Sequence, residues 1–317
     1  MNNNRYKKKF DIPILLIIFN RLEETNQVLD KILLINPEKL YIACDGPRPS
    51  KSGEAEIVAN LRINIKKKLE HHHNVKYLFS SKNLGVKLAP VKAINWFFEN
   101  EKQGIILEDD CVPGESFFNF TREMLIRHQE DHRVSMITGE NRYSELIDFK
   151  KKYSCAPIAH VWGWASWRRV WQQYEVDLSG HNFNVANRIF TSKKGKRFWR
   201  NVFKVVTSGK LNAWDFQLSH LLLRTETYCI LPPKNLITNI GFNQKSTNTK
   251  KSDNFSKSIR SELYSPPFIG EIRVHPGVID IIENNYYLDF FSFRRLVSFI
   301  IRKIISLLKL FKLNKSE

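Results

Sequence analysis

Cysteine is scarce in this sequence, with four residues among 317. They stand far apart, so the sequence has neither the paired spacing of a zinc site nor the density of a disulfide-rich fold. We therefore expect buried free thiols in a reducing compartment. The four residues are Cys44, Cys111, Cys155 and Cys229.

Glycine is absent from the place where two nucleotide-binding motifs require it. The apolar run at 12–19 predicts a first strand, and the residues that follow, Asn20-Arg21-Leu-Glu-Glu, include no glycine. A dinucleotide-binding dehydrogenase and a P-loop enzyme both need a glycine-rich turn there, so both are excluded. A sugar-nucleotide pyrophosphorylase, which normally begins with a glycine-rich basic loop, is disfavoured for the same reason.

Long apolar runs are also missing, since no stretch approaches the ~20 residues that span a bilayer. The basic start and the run at 12–19 superficially resemble a signal peptide. The run contains Pro13, ends in polar residues and has no small-residue cleavage site, so it is better interpreted as a strand. We expect the protein to stay in the cytosol.

Positive charge is abundant and concentrated at the two ends of the chain. The net charge is +18, from 50 Lys and Arg against 32 Asp and Glu. Residues 1–10 contribute +4 and residues 291–317 contribute +6, so the ends hold ten of the excess charges. This distribution predicts basic tails attracted to an anionic surface. The basic run 193–197 beside Phe198-Trp199 is the only nucleic-acid candidate, and we expect no nucleic-acid partner.

The segment 290–317 has the pattern of a basic amphipathic helix. Arg295, Arg302 and Lys309 recur along it, with Ser between them and Ile, Leu and Phe on the other faces. Such a helix lies in the interface of an anionic membrane, which predicts a peripheral protein on the inner, cytoplasmic face. The alternative is a C-terminal helix packed on the core of the domain.

Short apolar runs alternate with helical patterns over the first 140 residues. This alternation predicts an α/β fold with a mixed, mostly parallel sheet flanked by helices. The predicted strands lie at 12–19, 40–44, 75–79, 105–107 and 134–138. The predicted helices lie near 22–35, 53–70, 87–100, 115–130, 164–175, 196–208 and 214–227, and a polar loop is predicted at 245–258.

The most informative loop follows the fourth predicted strand. Ligands of such sheets bind beyond the carboxyl ends of the strands, and there the sequence places Glu108-Asp109-Asp110. Three adjacent carboxylates repel one another unless a cation or sugar hydroxyls engage them, and Mn²⁺ or Mg²⁺ prefers carboxylate oxygen. The alternative is that these acids cap the helix predicted at 115–130.

Several motifs between roughly residues 12 and 250 resemble those of GT-A glycosyltransferases and occur in the same order along the chain. The run Ile106-Leu107-Glu108-Asp109-Asp110 looks like the metal-binding acidic motif of that family, in the form seen in the N-acetylglucosaminyltransferase I type and close to bacterial family 2 enzymes. The resemblance implies a GT-A (Rossmann-like) fold. The other similar segments are 13–21, 42–47, 83–85 with 93–95, 161–171 and 212–217.

The resemblance assigns the nucleotide-binding and metal-binding roles. Asp110 is implied as the ligand of Mn²⁺ or Mg²⁺, with Glu108 and Asp109 facing ribose or sugar hydroxyls. Asp45 is expected to accept a hydrogen bond from the imide of uracil, although an ordinary Asp-Gly turn is an equal alternative. The remaining nucleotide-binding residues are Asn20, Arg21 and Asn83; Arg21 either reaches the diphosphate or is a solvated arginine at a helix start.

The acceptor side is assigned to the second half of the chain. The resemblance implies that Asp215 is the general base of an inverting transfer, and the alternative is a cap for the helix at 214–227. Trp162, Trp164 and Trp214 are expected to stack on sugar faces, with packing in the core as the alternative. We divide the chain into the tail 1–10, a domain at 11–285 (nucleotide-binding half 11–140, acceptor half 141–285) and the helix 290–317.

One departure concerns the metal. Similar bacterial sequences carry a Gly-Phe-Gly…Thr-His-Thr pattern whose histidine is a candidate ligand, and this chain has Asn248 at that place. Either the metal has fewer protein ligands, or the activity is metal-independent or impaired.

The sequence predicts a glycosyltransferase that uses a nucleotide-sugar, with UDP-sugar favoured, and a cell-surface glycan or lipid-linked acceptor. The alternative is a non-catalytic, membrane-docked protein of the same fold.

Overall fold

The computed structural model describes residues 9–241, 262 and 266–284. The strands are β1 (Ile14–Ile18), β2 (Leu40–Cys44), β3 (Val75–Phe79), β4 (Gln103–Glu108), β5 (Cys111–Pro113), β6 (Val134–Thr138), β7 (Lys152–Ala156), β8 (Trp164–Trp167), β9 (Tyr228–Leu231), β10 (Ile237–Asn239) and β11 (Ile269–Val274). The helices are α1 (Leu22–Leu34), α2 (Glu54–Lys68), α3 (Gly85–Asn100), α4 (Glu115–Arg127), α5 (Arg168–Trp171), α6 (Lys193–Thr207), α7 (Asp215–Thr225) and α8 (Pro276–Asn284).

Nine of these strands form one sheet in the order β11-β7-β9-β6-β8-β4-β1-β2-β3. β3, β2, β1 and β4 are parallel neighbours, and β8 lies antiparallel between β4 and β6. β6 therefore runs in the same direction as β4. As a result, the carboxyl ends of β1, β2, β4 and β6 meet at one edge of the sheet. β5 and β10 pair separately at that edge.

Strands β1 and β2 are apolar throughout because both of their faces are covered. Ile14, Leu15 and Leu16 of β1 are fully buried, and every residue of β2 is buried. Strands covered on both faces read as continuous apolar runs rather than as alternating patterns. The predicted fold class, a mostly parallel α/β sheet flanked by helices, is confirmed.

The predicted bounds agree closely in the first half. β2, β3 and β6 have the predicted bounds, whereas β1 is shorter than predicted and β4 is longer. Helices α1 to α4 begin at residues 22, 54, 85 and 115, each within two residues of the prediction.

The helix predicted at 164–175 is wrong over its first part. Trp164–Trp167 forms β8, and only Arg168–Trp171 is helical. All four residues of β8 are buried because the strand lies between β4 and β6. The apolar side chains at 164, 167, 170 and 171 have helical spacing, but the neighbouring strands determine the local structure.

All four cysteines are buried and free, as predicted. Among the described residues, no helix is long and apolar enough to cross a bilayer. Four earlier predictions lie outside the described residues: the first eight residues of the basic tail, the loop at 245–258, the Asn248 substitution and the amphipathic helix at 290–317. The division of the chain into domains stays a prediction.

Candidate functional site

A cavity of about 530 Å³ lies at the edge of the sheet where β1, β2 and β4 end. The loops after these strands and the start of α7 form its walls. The ends of parallel strands bring together residues from both halves of the chain. Nine of the eleven residues predicted to form the site line it: Arg21, Asp45, Asn83, Glu108, Asp109, Asp110, Trp162, Trp214 and Asp215.

The other two predicted residues do not line the cavity. The Asn20 amide donates to Glu54 Oε1 at 3.0 Å, which orients the start of α2. The Trp164 ring is 1% exposed and packs against Trp171 and Trp214 in the core. The prediction that Trp164 stacks on a sugar is therefore wrong, because its faces are covered by protein.

Glu108, Asp109 and Asp110 form an acidic group at the end of β4, and Arg21 is the cation that pairs with it. Its Nη1 lies 2.8 Å from Asp110 Oδ2, and its Nη2 lies 3.2 Å from Asp109 Oδ1. The Phe19 amide also donates to Asp109, at 3.2 Å. One guanidinium thus joins the end of β1 to the end of β4. The alternative of a solvated arginine is wrong, because Arg21 is half-buried and paired with two carboxylates.

The acidic group is nevertheless short of positive charge. Burial, with the neighbouring carboxylates of Asp110, Asp109 and Asp215, raises the pKa of Glu108 to about 8. Burial also raises the pKa of Asp109 to about 7, although Arg21 opposes the rise. Near neutral pH the group therefore favours a further cation, or a ligand that donates hydrogen bonds to it.

The alternative interpretation of the acids as helix caps is wrong. α4 begins at Glu115, and no side chain of the preceding residue caps it. The amide and hydroxyl of Ser116 donate instead to Glu262, at 3.0 and 2.5 Å. The carboxylates after β4 are thus left to the cavity.

Asp45 holds the neighbouring loop rather than presenting a free acceptor. Its carboxylate accepts from the amides of Gly46, Leu84 and Gly85 and from the side chain of Asn83, all within 3.0 Å. A carboxylate has about four lone-pair sites, so these donors occupy them. The predicted hydrogen bond from uracil to Asp45 is therefore not supported, and the loop-forming alternative agrees with the geometry.

Asp215 stands at the opposite wall, as the first residue of α7. Burial raises the pKa of its carboxyl, while its own amide, the Phe216 amide and Arg142 oppose the rise. A carboxyl at the first turn of a helix interacts favourably with the free amides there. The two predicted roles, base and helix-start acid, are thus compatible in one residue.

Sequence reasoning missed a buried network behind this wall. Glu140 is 2% exposed and accepts from Arg142 Nε at 2.7 Å, while Tyr143 and His160 are joined at 3.0 Å beside it. The Arg142 guanidinium lies 5.2 Å from the centroid of the Trp162 ring. Although burial opposes it, Arg142 and His160 bring the pKa of Glu140 down to about 2. In the sequence, the only indication of this network is that Glu140 and Arg142 closely follow the strand predicted at 134–138.

A second missed residue is Arg48, which lines the cavity near β2. Its guanidinium lies 5.3 Å from the centroid of the Phe19 ring and pairs with the buried Glu54. A cation that closely follows Asp45-Gly46 was the signal for it. Arg48 and Phe19 together give this end of the cavity a charged and aromatic wall.

The acidic group offers too few ligands to hold a divalent cation alone, so phosphate and water oxygens would have to complete the coordination. Within the described residues, no group of three His, Cys, Asp or Glu side chains is arranged to hold a metal ion. The Asp110 side chain is 15% exposed, and Mg²⁺ is commonly held by one or two carboxylates together with phosphate and water oxygens. The donor set therefore fits Mn²⁺ or Mg²⁺ that arrives with a diphosphate.

Comparison with protein-family models gives no match, and comparison with curated proteins gives none either. Several solved structures are similar at low level. HddC from Yersinia pseudotuberculosis has 10% identity and a TM-score of 0.33, over 51% of this chain and 80% of its own.

Two further structures are named for nucleotide chemistry. The inositol-1-phosphate CTP transferase from T. maritima has 10% identity and a TM-score of 0.34, over 68% of this chain and 96% of its own. A UTP-bound UGPase from Acinetobacter baumannii has 8% identity and a TM-score of 0.28, over 68% and 92%. At this level of similarity they do not decide between nucleotidyl and glycosyl transfer.

Replacing Glu108 by Gln should stabilise the free protein, and more so at high pH. Because the folded pKa of Glu108 is raised from 4.5 to about 8, its contribution to stability is present below pH 4.5 and lost as pH rises through 8. We expect Glu108→Gln to gain about 3 to 4 kcal/mol more over wild type at pH 8 than at pH 5. Urea unfolding at the two pH values measures this.

The control is Glu99→Gln, on the exposed face of α3. Its free energy of unfolding should differ from that of wild type by the same small amount at both pH values. A Glu108→Gln effect that does not depend on pH would contradict the charge shortage inferred for the acidic group.

Proposed function

We propose that the cavity binds a nucleotide-sugar and that the chain is an inverting glycosyltransferase. A UDP-sugar is the favoured donor, and a lipopolysaccharide-type or lipid-linked glycan is the acceptor. The observation that supports this best is that the acidic group and Asp215 line one cavity from distant parts of the sequence. An inverting transfer needs both, a charge-handling group at the leaving diphosphate and a base at the attacking hydroxyl.

The nucleotide is placed at the β1–β2 end of the cavity. Phe19 offers a partly exposed ring for the base, with Arg48 beside it. Arg21 is the cation nearest the acidic group, and a guanidinium binds phosphate oxygens in a bidentate manner. In this assignment Asp45 shapes the loop that carries Asn83, and does not itself read the base.

Asp110 is the proposed protein ligand of Mn²⁺ or Mg²⁺, with Asp109 next to it. A divalent cation held there with the diphosphate would neutralise charge on the leaving group. Arg21, whose side chain is 22% exposed, is free to exchange a carboxylate partner for a phosphate one. Glu108 then faces the sugar or ribose hydroxyls, which can donate to it.

Asp215 is the proposed general base. The acceptor hydroxyl oxygen forms a bond to the anomeric carbon while the bond from that carbon to the phosphate oxygen breaks on the opposite face. The hydroxyl proton passes to the Asp215 carboxylate, and the nucleoside diphosphate leaves. Burial raises the pKa of Asp215, which brings a carboxylate closer to the range in which it accepts a proton efficiently.

Trp162 forms the proposed acceptor wall. Its ring is partly exposed in the cavity and is backed by the guanidinium of Arg142. Trp214 also borders the cavity but is only 5% exposed, which leaves little of its ring available to a sugar. Indole faces bind the apolar C–H faces of sugars, so Trp162 is the better candidate.

The proposed location is the inner face of the membrane, because ten of the excess positive charges lie in the two ends of the chain. The second candidate function is a membrane-docked protein without turnover. Asn248, in place of the expected histidine, is the sequence feature that favours it.

Calorimetric titration with UDP and GDP, with and without Mn²⁺, tests the nucleotide site. We expect UDP to bind, with higher affinity in Mn²⁺. Asp110→Asn should weaken Mn²⁺-dependent binding by at least about tenfold, because the ion loses its protein ligand. Asp280→Asn, an exposed acid on α8, should bind as wild type.

Gly241→Ala should disturb the Asp110 carboxylate without changing the net charge of the protein. A Cβ at Gly241 would overlap Asp110 Oδ2 and lie 3.0 Å from Arg21 Nη1, so the variant should also lose affinity while staying folded. No binding of either nucleotide in any condition would contradict the proposal and support the non-catalytic alternative.

Asp215→Asn should separate turnover from binding. The amide cannot accept the hydroxyl proton, so transfer measured by mass spectrometry with an active donor and acceptor should fall by about 10²–10⁴-fold. UDP affinity should stay within about twofold of wild type. Equal transfer by the variant would exclude Asp215 as the base. Release of pyrophosphate from UTP and a sugar phosphate would instead identify a nucleotidyltransferase.

A further inference from the structure

Helix α6 has two faces of opposite character. Its apolar face is buried in a hydrophobic cluster with residues of α7 and α8. The residues of that face are Phe198, Trp199, Val202, Phe203 and Val206. Lys193, Arg197 and Lys204 are exposed on the other side. The helix is thus fixed to the domain by its aromatic face and presents its cations outward.

The stretch of sequence that contains this helix carries many cations and no acid. From residue 178 to residue 214 the sequence contains no Asp or Glu. Within the described residues, no ion pair involves Lys193, Arg197, Arg200 or Lys204. The cations of this stretch are Arg188, Lys193, Lys194, Lys196, Arg197, Arg200, Lys204 and Lys210.

The carboxylates that border the surface are already engaged. Glu175 pairs with His181 and Arg224, at 3.0 and 3.5 Å. Glu283 of α8 accepts from the amides of Thr191 and Ser192 at the start of α6, at 2.6 and 2.9 Å. The positive field of the exposed face therefore remains available to a partner.

An open groove runs beside the helix. Its volume is about 530 Å³, and it is lined by Arg200, Lys204 and residues 181–184. The Arg200 Nε atom is buried and has no hydrogen-bond partner among the described residues. Because that atom is closed to solvent, an anion in the groove would reach Arg200 through the rest of its guanidinium group, beside Lys204.

We propose that the outer face of α6 is a docking surface for a bilayer that contains anionic phospholipids, with the groove at Arg200 and Lys204 receiving a headgroup phosphate. Each cation near such a surface adds to binding, and the flat array of a helix suits an extended anionic plane. Val205, which is 36% exposed among the cations, adds an apolar contact.

A nucleic-acid partner is less compatible with this face. Single-stranded nucleic acid is held by aromatic rings interleaved with cations. Phe198 and Trp199, the aromatic residues of the basic run, are 5% and 0% exposed, so they cannot stack on bases. The membrane contact assigned above to the two ends of the chain thus gains a third element, one that does not depend on the sugar-transfer reaction.

The test uses the full chain and sedimentation with phosphatidylcholine vesicles that contain about 30% phosphatidylglycerol, at about 0.1 M salt. The variant K193E/R197E/K204E reverses three exposed cations of α6. We expect its vesicle affinity to fall at least about tenfold below that of wild type. The matched control K67E/K92E/K102E makes the same change of net charge on exposed lysines of α2, α3 and the turn before β4, and should lose about twofold or less.

Three outcomes would overturn the proposal. The first is vesicle binding by the α6 variant equal to that of wild type. The second is an equal loss of vesicle affinity by the control and the α6 variant. The third is a loss of affinity for a duplex oligonucleotide by the α6 variant with its vesicle affinity kept, which would assign the surface to nucleic acid. UDP titration of the same variants should be unchanged, so failure here is distinguishable from failure of the nucleotide site.

Discussion

The ion pairs of Arg21 with Asp109 and Asp110 hold the candidate site together. β1 and β4 are parallel neighbours, so their ends place this guanidinium beside the two carboxylates. Without it, the 4% exposed Asp109 would be a buried charge with no cationic partner, which is strongly unfavourable. The pairing also sets the conditions for ligands, because a phosphate must compete for Arg21 and a metal ion must compete for Asp110.

The central strands could be predicted because β1, β2 and β6 are covered on both faces and therefore read as largely apolar runs. The runs at 40–44, 75–79 and 134–138 became β2, β3 and β6 unchanged. β8 could not be predicted from its own residues, since its tryptophans have helical spacing and only the strands on either side make it extended. Local pattern was sufficient where a short apolar run fits only a strand, and tertiary context decided the structure where the apolar spacing also fits a helix.

The site shows the same division at the level of single residues. The acidic run, Arg21 and Asp215 were identifiable because strand ends and the motif order mark them, and the fold brings them to one cavity. For Asp45 and Trp164 the sequence left a structural role open as an alternative but could not select it, because the Leu84 and Gly85 amides and the Trp214 ring that contact them lie elsewhere in the chain. Arg142 and Arg48 were missed for a related reason: each matters through a ring, Trp162 or Phe19, that is distant in the chain.

A crystal structure of the protein with UDP and Mn²⁺ tests the proposed site most directly. We expect the nucleotide in the cavity at the ends of β1, β2 and β4, the ion on Asp110, and the Arg21 guanidinium moved from Asp110 to a phosphate oxygen. A nucleotide bound elsewhere, or one bound in the cavity while Arg21 remains paired with both carboxylates, would contradict the proposal.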